Sequence, residues 1–310
     1  MKNNKGRVTK RTSSRLRRTN DRSALGVHED HEDDENAEIG VSLHAHKTVL
    51  ITGASSGIGY ELAKLFAKEG YDLILTARRL ERLNHLKELL EASINDIKIT
   101  IFSEDLSLEN SAEDLFRKVK EKNLSVDILI NNAGMGDLSY FPEADIEKLS
   151  KMINLNMLSL TKLSRLFISD IKSSEAGAII NIASTASFQP VPLMAAYAAT
   201  KAYVKSFSLA LMAELKEDKS NKVQVLCICP GVTETEFFAS ANANPLGLPE
   251  GFIASSEEVA EFTLKTLQQG KSGVAVHGKM NSFVALLSRA LPMNLSNAVS
   301  LYIMKKLIRA

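Results

Sequence analysis

The amino-acid sequence predicts an α/β fold, a doubly wound parallel sheet of seven strands with helices on both faces. Short apolar runs alternate with stretches of helical spacing along residues 47–276. The first of these runs is apolar at consecutive positions rather than at every second one, as in a strand buried on both faces. A helix-length crossover follows each run but the last, and parallel neighbours require such crossovers.

Lys47–Thr52 reads as the first buried strand and ends in a glycine-rich turn. Ile58–Lys68 sets Ile58, Leu62, Leu65 and Phe66 on one helical face, and Gly70 stops the helix. Asp72–Thr76 is the second strand, Leu80–Ala92 a helix and Ile97–Phe102 the third strand. Ser111–Lys122 is a helix and Val126–Ile130 the fourth strand. One long helix is predicted over Ile146–Ile171, a strand over Ala178–Ile182 and another long helix over Met194–Glu217. Val223–Ile228, the helix Ser256–Gln268 and the strand Gly273–Val276 complete the pattern. No repeat or linker interrupts it, so residues 45–280 read as one domain.

The chain has 310 residues, 45% of them hydrophobic and 24% charged, enough to bury a sizeable core. Disordered, collagen-like and low-complexity classes are thereby excluded for most of it. Lys and Arg number 38 against 37 Asp and Glu, and the net charge of +1 gives no reason to expect nucleic acid as a partner. Two cysteines, Cys227 and Cys229, exclude a disulfide scaffold and fit a reducing compartment. They share one face of a predicted strand and read as packed thiols, and the six His are scattered, so no metal site is expected.

Residues 1–44 break the pattern. Nine Lys or Arg in residues 1–22 are followed by seven acids in residues 29–38, with almost nothing apolar. This stretch is expected to be a disordered charged tail. Its basic run Lys10–Arg18 could instead be a transit or nuclear address; a solvated tail and a cytoplasmic location are the preferred reading. No apolar stretch follows the basic start, so a secretory signal is not expected.

Thr52-Gly53-Ala54-Ser55-Ser56-Gly57-Ile58-Gly59 joins the first strand to the first helix. Glycines there let the backbone approach a pyrophosphate, and the helix N-terminus offers it N–H groups and a positive dipole end. A tight turn alone would explain the glycines nearly as well; the strand before and the helix after strengthen the phosphate reading.

The spacing T-G-x-x-x-G-I-G resembles the first turn of the short-chain dehydrogenase/reductase family. Further motifs of that family follow in order: Asp105-Leu106, Asn131-Asn132-Ala133-Gly134, Asn156, Ser184, Tyr197-Ala-Ala-Thr-Lys201 and Pro230-Gly231. The resemblance covers about residues 47–280. It implies a Rossmann-like fold and hydride transfer between NADP(H) and a carbonyl or hydroxyl group. Cofactor contacts would come from Gly53, Ser55, Ser56, Gly57, Ile58 and Gly59 in the first turn. Asp105 and Leu106 would lie at the adenine, Asn131 with Asn132, Ala133 and Gly134 at the ribose, and Pro230, Gly231 and Thr235 at the nicotinamide, with Thr233 the alternative to Thr235.

An NAD-binding chain usually places an acid after the second strand; here Ala77 stands there and Arg78 follows. A guanidinium suits a 2′-phosphate, so NADP(H) is expected; the alternative is that Arg78 and Arg79 merely open a solvated helix.

Tyr197 and Lys201 share one helical face, and a nearby ammonium lowers the pKa of a phenol. Ser184 ends the fifth strand thirteen residues before Tyr197, placed to hold a substrate oxygen. By the resemblance, Asn156 supports Lys201 and a proton relay, with Asn154 the competitor. Ser159 and Ala183 depart from the family's frequent Gly and Ser. The catalytic set is thus Asn156, Ser184, Tyr197 and Lys201. An NADP(H)-binding sensor or scaffold without turnover is the alternative class.

The irregular apolar segment from Glu236 to Ala254 reads as a lid over a lipophilic carbonyl compound, with Met135, Leu138, Phe141, Phe188 and Val191 as further walls; that these apolar groups only pack the lid onto the core is the equal alternative. Residues 281–310 form an amphipathic extension. From Lys279 onward there are five cations and no acid, and Pro292 divides two apolar stripes. These stripes can close the core, form a homodimer contact or lie on an anionic membrane surface; the packed readings are preferred, and a homodimer or homotetramer is the expected assembly.

Overall fold

β1 (Thr48–Thr52) is buried on both sides. Val49 and Ile51 project into one core and Leu50 into another, and all three are inaccessible to solvent. The computed structural model describes residues 47–237, 241, 253–290 and 293–309. The charged tail 1–44, its basic run Lys10–Arg18 and most of the expected lid lie outside the described residues.

After β1 come α1 (Gly57–Lys68), β2 (Asp72–Ala77), α2 (Leu80–Ser93), β3 (Ile99–Ser103), α3 (Ser111–Glu121) and β4 (Ile128–Asn131). Then follow α4 (Ile146–Ile153), α5 (Leu160–Ser173), β5 (Ala178–Ile182), α6 (Ala195–Glu217) and β6 (Gln224–Cys229). The short strands β7 (Val232–Thr233) and β8 (Ile253–Ala254) precede α7 (Ser256–Gln268), β9 (Gly273–Val276), α8 (Lys279–Ala290) and α9 (Met293–Arg309).

Seven strands form one parallel sheet in the order β3-β2-β1-β4-β5-β6-β9, and β7 pairs with β8 apart from it. The predicted doubly wound fold is present. α1, α2 and α7 cover one face through Leu62, Phe66, Leu83, Leu86, Leu264 and Leu267. α3 and α5 contribute Leu115, Val119, Leu163, Phe167 and Ile171 to the other. Ser255 caps α7 reciprocally with Glu258: the Glu258 amide donates to the Ser255 hydroxyl at 3.1 Å and the Ser255 amide to the Glu258 carboxylate at 2.8 Å.

The strand order reverses between β1 and β4, so the turns that leave their C-terminal ends part and open a crevice. Every strand-linked motif reaches this edge.

One predicted element is divided. The helix expected over Ile146–Ile171 is interrupted by a π-helical turn, Asn154–Ser159. Hydrophobic spacing alone reads one helix, because apolar residues flank the turn on both sides and occur within it. Its cause is polar: the π turn holds Asn156, 1% exposed, against the backbone of residue 135.

Candidate active site

The glycine-rich turn is fitted to its neighbours at backbone level. Gly53 and Gly57 have φ of 68° and 58°, a region costly for residues with a Cβ. A Cβ on Gly59 would overlap the Gly53 carbonyl and stand 2.5 Å from the Asn132 amide nitrogen. Thr52 and Asn132 lock the turns after β1 and β4 together. The Thr52 hydroxyl accepts from the Asn132 and Ala133 amides at 3.0 and 2.9 Å, and Asn132 Nδ2 donates to the Thr52 carbonyl at 2.8 Å.

At the head of α1 the Ser56 side chain makes no capping hydrogen bond. The first-turn N–H groups therefore face the crevice without a side-chain acceptor from their own cap. This cradle fits a pyrophosphate: close backbone, helix dipole and no Cβ in the way.

Arg79 is the residue that reaches this turn. Its guanidinium donates to Ser55 Oγ at 3.2 Å and Ser56 Oγ at 2.9 Å, and it pairs with Glu236 at 2.6 Å. Arg82 pairs with the same carboxylate. Arg78 is exposed at the end of β2, where its carbonyl accepts from Ser103 Oγ at 3.1 Å. The sequence favours Arg78 by its place after β2; the partner that draws Arg79 over the turn stands 157 residues away and left no local signal.

Asp105 turns one carboxylate oxygen to the amide and hydroxyl of Ser107, at 3.0 and 2.7 Å. The Leu106 carbonyl accepts from Ser159 Oγ at 2.5 Å, a role that the Gly frequent at that position could not fill. The buried Asn131 side-chain amide donates to Ser164 Oγ at 3.1 Å and to Asn181 Oδ1 at 2.9 Å on the neighbouring strand. Thr235 meets the glycine turn: its methyl would stand 3.0 Å from a Cβ on Gly57. The Pro230 carbonyl accepts from the Thr185 amide at 2.8 Å, tying the Pro230-Gly231 turn to the segment after Ser184.

Ser184, Tyr197, Lys201 and Asn156 converge between β5, α6 and the π turn. Ser184 Oγ accepts from the Ala186 amide at 3.1 Å, which fixes its rotamer and leaves its proton to donate. Burial pushes the Tyr197 phenol up to about 12, and the hydrogen bond with Ser184 only partly opposes this. Lys201, 5% exposed, donates to the Ile182 carbonyl at 2.8 Å, with its nitrogen 5.8 Å from the centre of the Tyr197 ring. Burial draws its pKa down to about 8.

Asn156 donates to the Met135 carbonyl at 2.9 Å and to Thr200 Oγ1 at 3.0 Å, and accepts from the Met135 amide at 3.0 Å. A Cβ on Gly134 would lie 3.4 Å from both Asn156 Oδ1 and Lys201 Nζ, so Gly134 separates the two side chains by its own backbone. Asn154, the competing position, is only half-buried.

On the open side the Phe237 ring tilts against Tyr197 with centroids 5.2 Å apart, and a Cβ on Gly136 would overlap it. Leu138 and Val191 pack together with Leu193 and Ala198. Phe141, 69% exposed, lines a small surface cavity with Asp137, Ser139, Leu193 and Met194, while Phe188 turns toward Lys205, whose nitrogen stands 4.1 Å from its ring centre. Cys227 and Cys229 are fully buried on one face of β6. Among the described residues no group of His, Cys, Asp and Glu could hold a metal ion.

Known proteins share this arrangement. The model of the short chain dehydrogenase family matches residues 47–246. The very-long-chain 3-oxoacyl-CoA reductase of Rattus norvegicus is 30% identical over 251 residues, 77% of this chain and 75% of that protein. The 3-oxoacyl-[acyl-carrier-protein] reductase FabG of Chlamydia trachomatis is 29% identical over 235 residues, 74% of this chain and 93% of that one. A short-chain dehydrogenase from Sphingobium yanoikuyae, solved in complex with NADPH, superposes with a TM-score of 0.69 at 32% identity, covering 79% of this chain and 94% of that one. With its sheet order, its glycine turn and its Ser–Tyr–Lys grouping all of that kind, the chain belongs to the short-chain dehydrogenase/reductase family.

Proposed function

We propose that the chain is an NADP-dependent reductase of a lipophilic carbonyl compound, with 3-oxoacyl thioesters as the first class to assay. The observation that carries this reading is the grouping of buried Tyr197 and Lys201 with half-buried Ser184 at the sheet's switch-point crevice. The substrate class draws on the two 3-oxoacyl reductases among the relatives and on the apolar Phe237 ring against Tyr197.

The cofactor's pyrophosphate would lie on Gly57, Ile58 and Gly59 at the head of α1. Arg78 and Arg79 would flank a 2′-phosphate, with Ser55 and Ser56 beneath it. A bound nicotinamide supplies the hydride. Ser184 and Tyr197 would each donate a hydrogen bond to the substrate oxygen, and Tyr197 would pass its proton to that oxygen as negative charge develops. A phenol held up to about 12 by burial is protonated across the neutral range, as a donor must be. The Lys201 ammonium would then stabilise the phenolate left behind. Asn156 would act as a positioning residue, clamping residue 135 beside Lys201.

Cofactor choice is tested by titrating NADPH and NADH into Arg78→Ala and Arg79→Ala. A charge-assisted hydrogen bond contributes about 1.5–3 kcal/mol, so each variant is expected to bind NADPH roughly ten- to a hundredfold more weakly, with NADH changed by less than about threefold. Equal losses for both cofactors, or a wild-type preference for NADH, would overturn the NADP assignment.

A further inference from the structure

α8 and α9 are amphipathic the wrong way round. Toward the body of the protein they present small or polar groups: Ala285, Ser296 and Ser300 are each 6% exposed, and the Ser296 hydroxyl donates to Gln189 Oε1 at 3.1 Å. Among the described residues Met304 is the one large apolar side chain of these helices that is buried. Outward they present Phe283, Leu286 and Leu287 on α8 and Leu295, Val299 and Tyr302 on α9, between 42% and 65% exposed. Monomeric soluble proteins rarely leave so many large apolar groups together in water.

The place of these helices matters as much as their polarity. A Cβ on Gly231 would overlap Asn281 of α8, which abuts the Pro230-Gly231 turn. Met304 of α9 packs with Val191 and Leu193, which lie between Ser184 and Tyr197 in the chain, with Leu138, and with Ala198 next to Tyr197. The exposed apolar faces therefore belong to helices that border the substrate side of the crevice.

We propose that α8 and α9 dock on an anionic lipid surface, and that the substrate enters the crevice from that surface. The substrate clause rests on the lipophilic reading above; the docking does not. Charge selects the occupant. Residues 279–310 carry five cations and no acid. A second copy would bring the same patch to a two-fold contact, cations against cations with no acid from this segment to meet them. An anionic membrane accepts the apolar side chains and draws the cations to its headgroups. Among the described residues no helix is long and apolar enough to cross a membrane, so the contact is a surface one.

The test sediments the full-length protein with vesicles of phosphatidylcholine alone and of phosphatidylcholine with phosphatidylglycerol, at low and high salt. Wild type is expected to bind the anionic vesicles at least tenfold more than the neutral ones, and less at high salt. The double variant Leu286→Glu with Val299→Glu should lose at least tenfold of that binding while its NADPH affinity is unchanged. Wild type that stays in the supernatant with anionic vesicles overturns the docking. So does a wild-type dimer in sedimentation velocity that the double variant converts to monomer without any vesicle binding in either form. Vesicle binding without turnover of any carbonyl substrate leaves the docking standing and sinks the enzymatic reading alone.

Discussion

Tyr197→Phe is expected to lower turnover by roughly two to four orders of magnitude, the range lost with a positioned acid or base. The substitution removes one oxygen. The ring stays to pack against Phe237 at 5.2 Å, and the hydroxyl's loss leaves Ser184 still held by the Ala186 amide. Folding and NADPH affinity should therefore stay close to wild type, within about twofold. The comparison needs kcat on a 3-oxoacyl thioester, the NADPH dissociation constant and a thermal melt. More than a tenth of wild-type turnover in a well-folded variant would remove Tyr197 from the role of proton donor.

Gly59→Ala should damage binding rather than chemistry. The new methyl would overlap the Gly53 carbonyl and crowd the Asn132 amide at 2.5 Å. Neither can yield easily, because both belong to the Thr52–Asn132 lock between the turns after β1 and β4. Overpacking of this kind costs about 1–3 kcal/mol, and each kcal/mol lowers the melting temperature of a domain this size by about 2–4 °C. The turn must also open where the pyrophosphate would lie, so NADPH binding is expected to weaken at least tenfold. Unchanged NADPH affinity would mean that the cofactor does not use this turn.

The sheet was legible because its strands are nearly all apolar and its crossovers follow a clear helical period, from Val49-Leu50-Ile51 to Val225-Leu226. Ser184, Tyr197 and Lys201 were legible because one strand end and one helix face bring them together, and Asn156 only through the resemblance. What escaped the sequence was set by distant partners. The π turn sits between two apolar-patterned helices and shows itself where Asn156 meets residue 135. Arg79 is directed by Glu236, far along the chain. Asn131 and Asn132 are adjacent, yet strand alternation sends the first to Asn181 in the sheet and leaves the second at the crevice. For α8 and α9 periodicity found the apolar stripes but could not say which side of each helix meets the protein. The structure turns Ala285, Ser296 and Ser300 inward and leaves Phe283, Leu286, Leu295 and Val299 exposed, so among the described residues core closure rests on Met304, and the homodimer contact expected beside it stays open.

The central claim is that this crevice transfers hydride to a carbonyl carbon with the proton coming from Tyr197. The most direct measurement follows the label: NADPH deuterated at the nicotinamide C4 is incubated with the protein and a long-chain 3-oxoacyl thioester, and the product is read by mass spectrometry. One deuterium on the carbinol carbon is predicted from one face of the nicotinamide only, and with Tyr197→Phe labelled product should form roughly two to four orders of magnitude more slowly. Tight binding of NADPH with no label transferred to this substrate, or to any of a panel of ketones and aldehydes, would contradict the account.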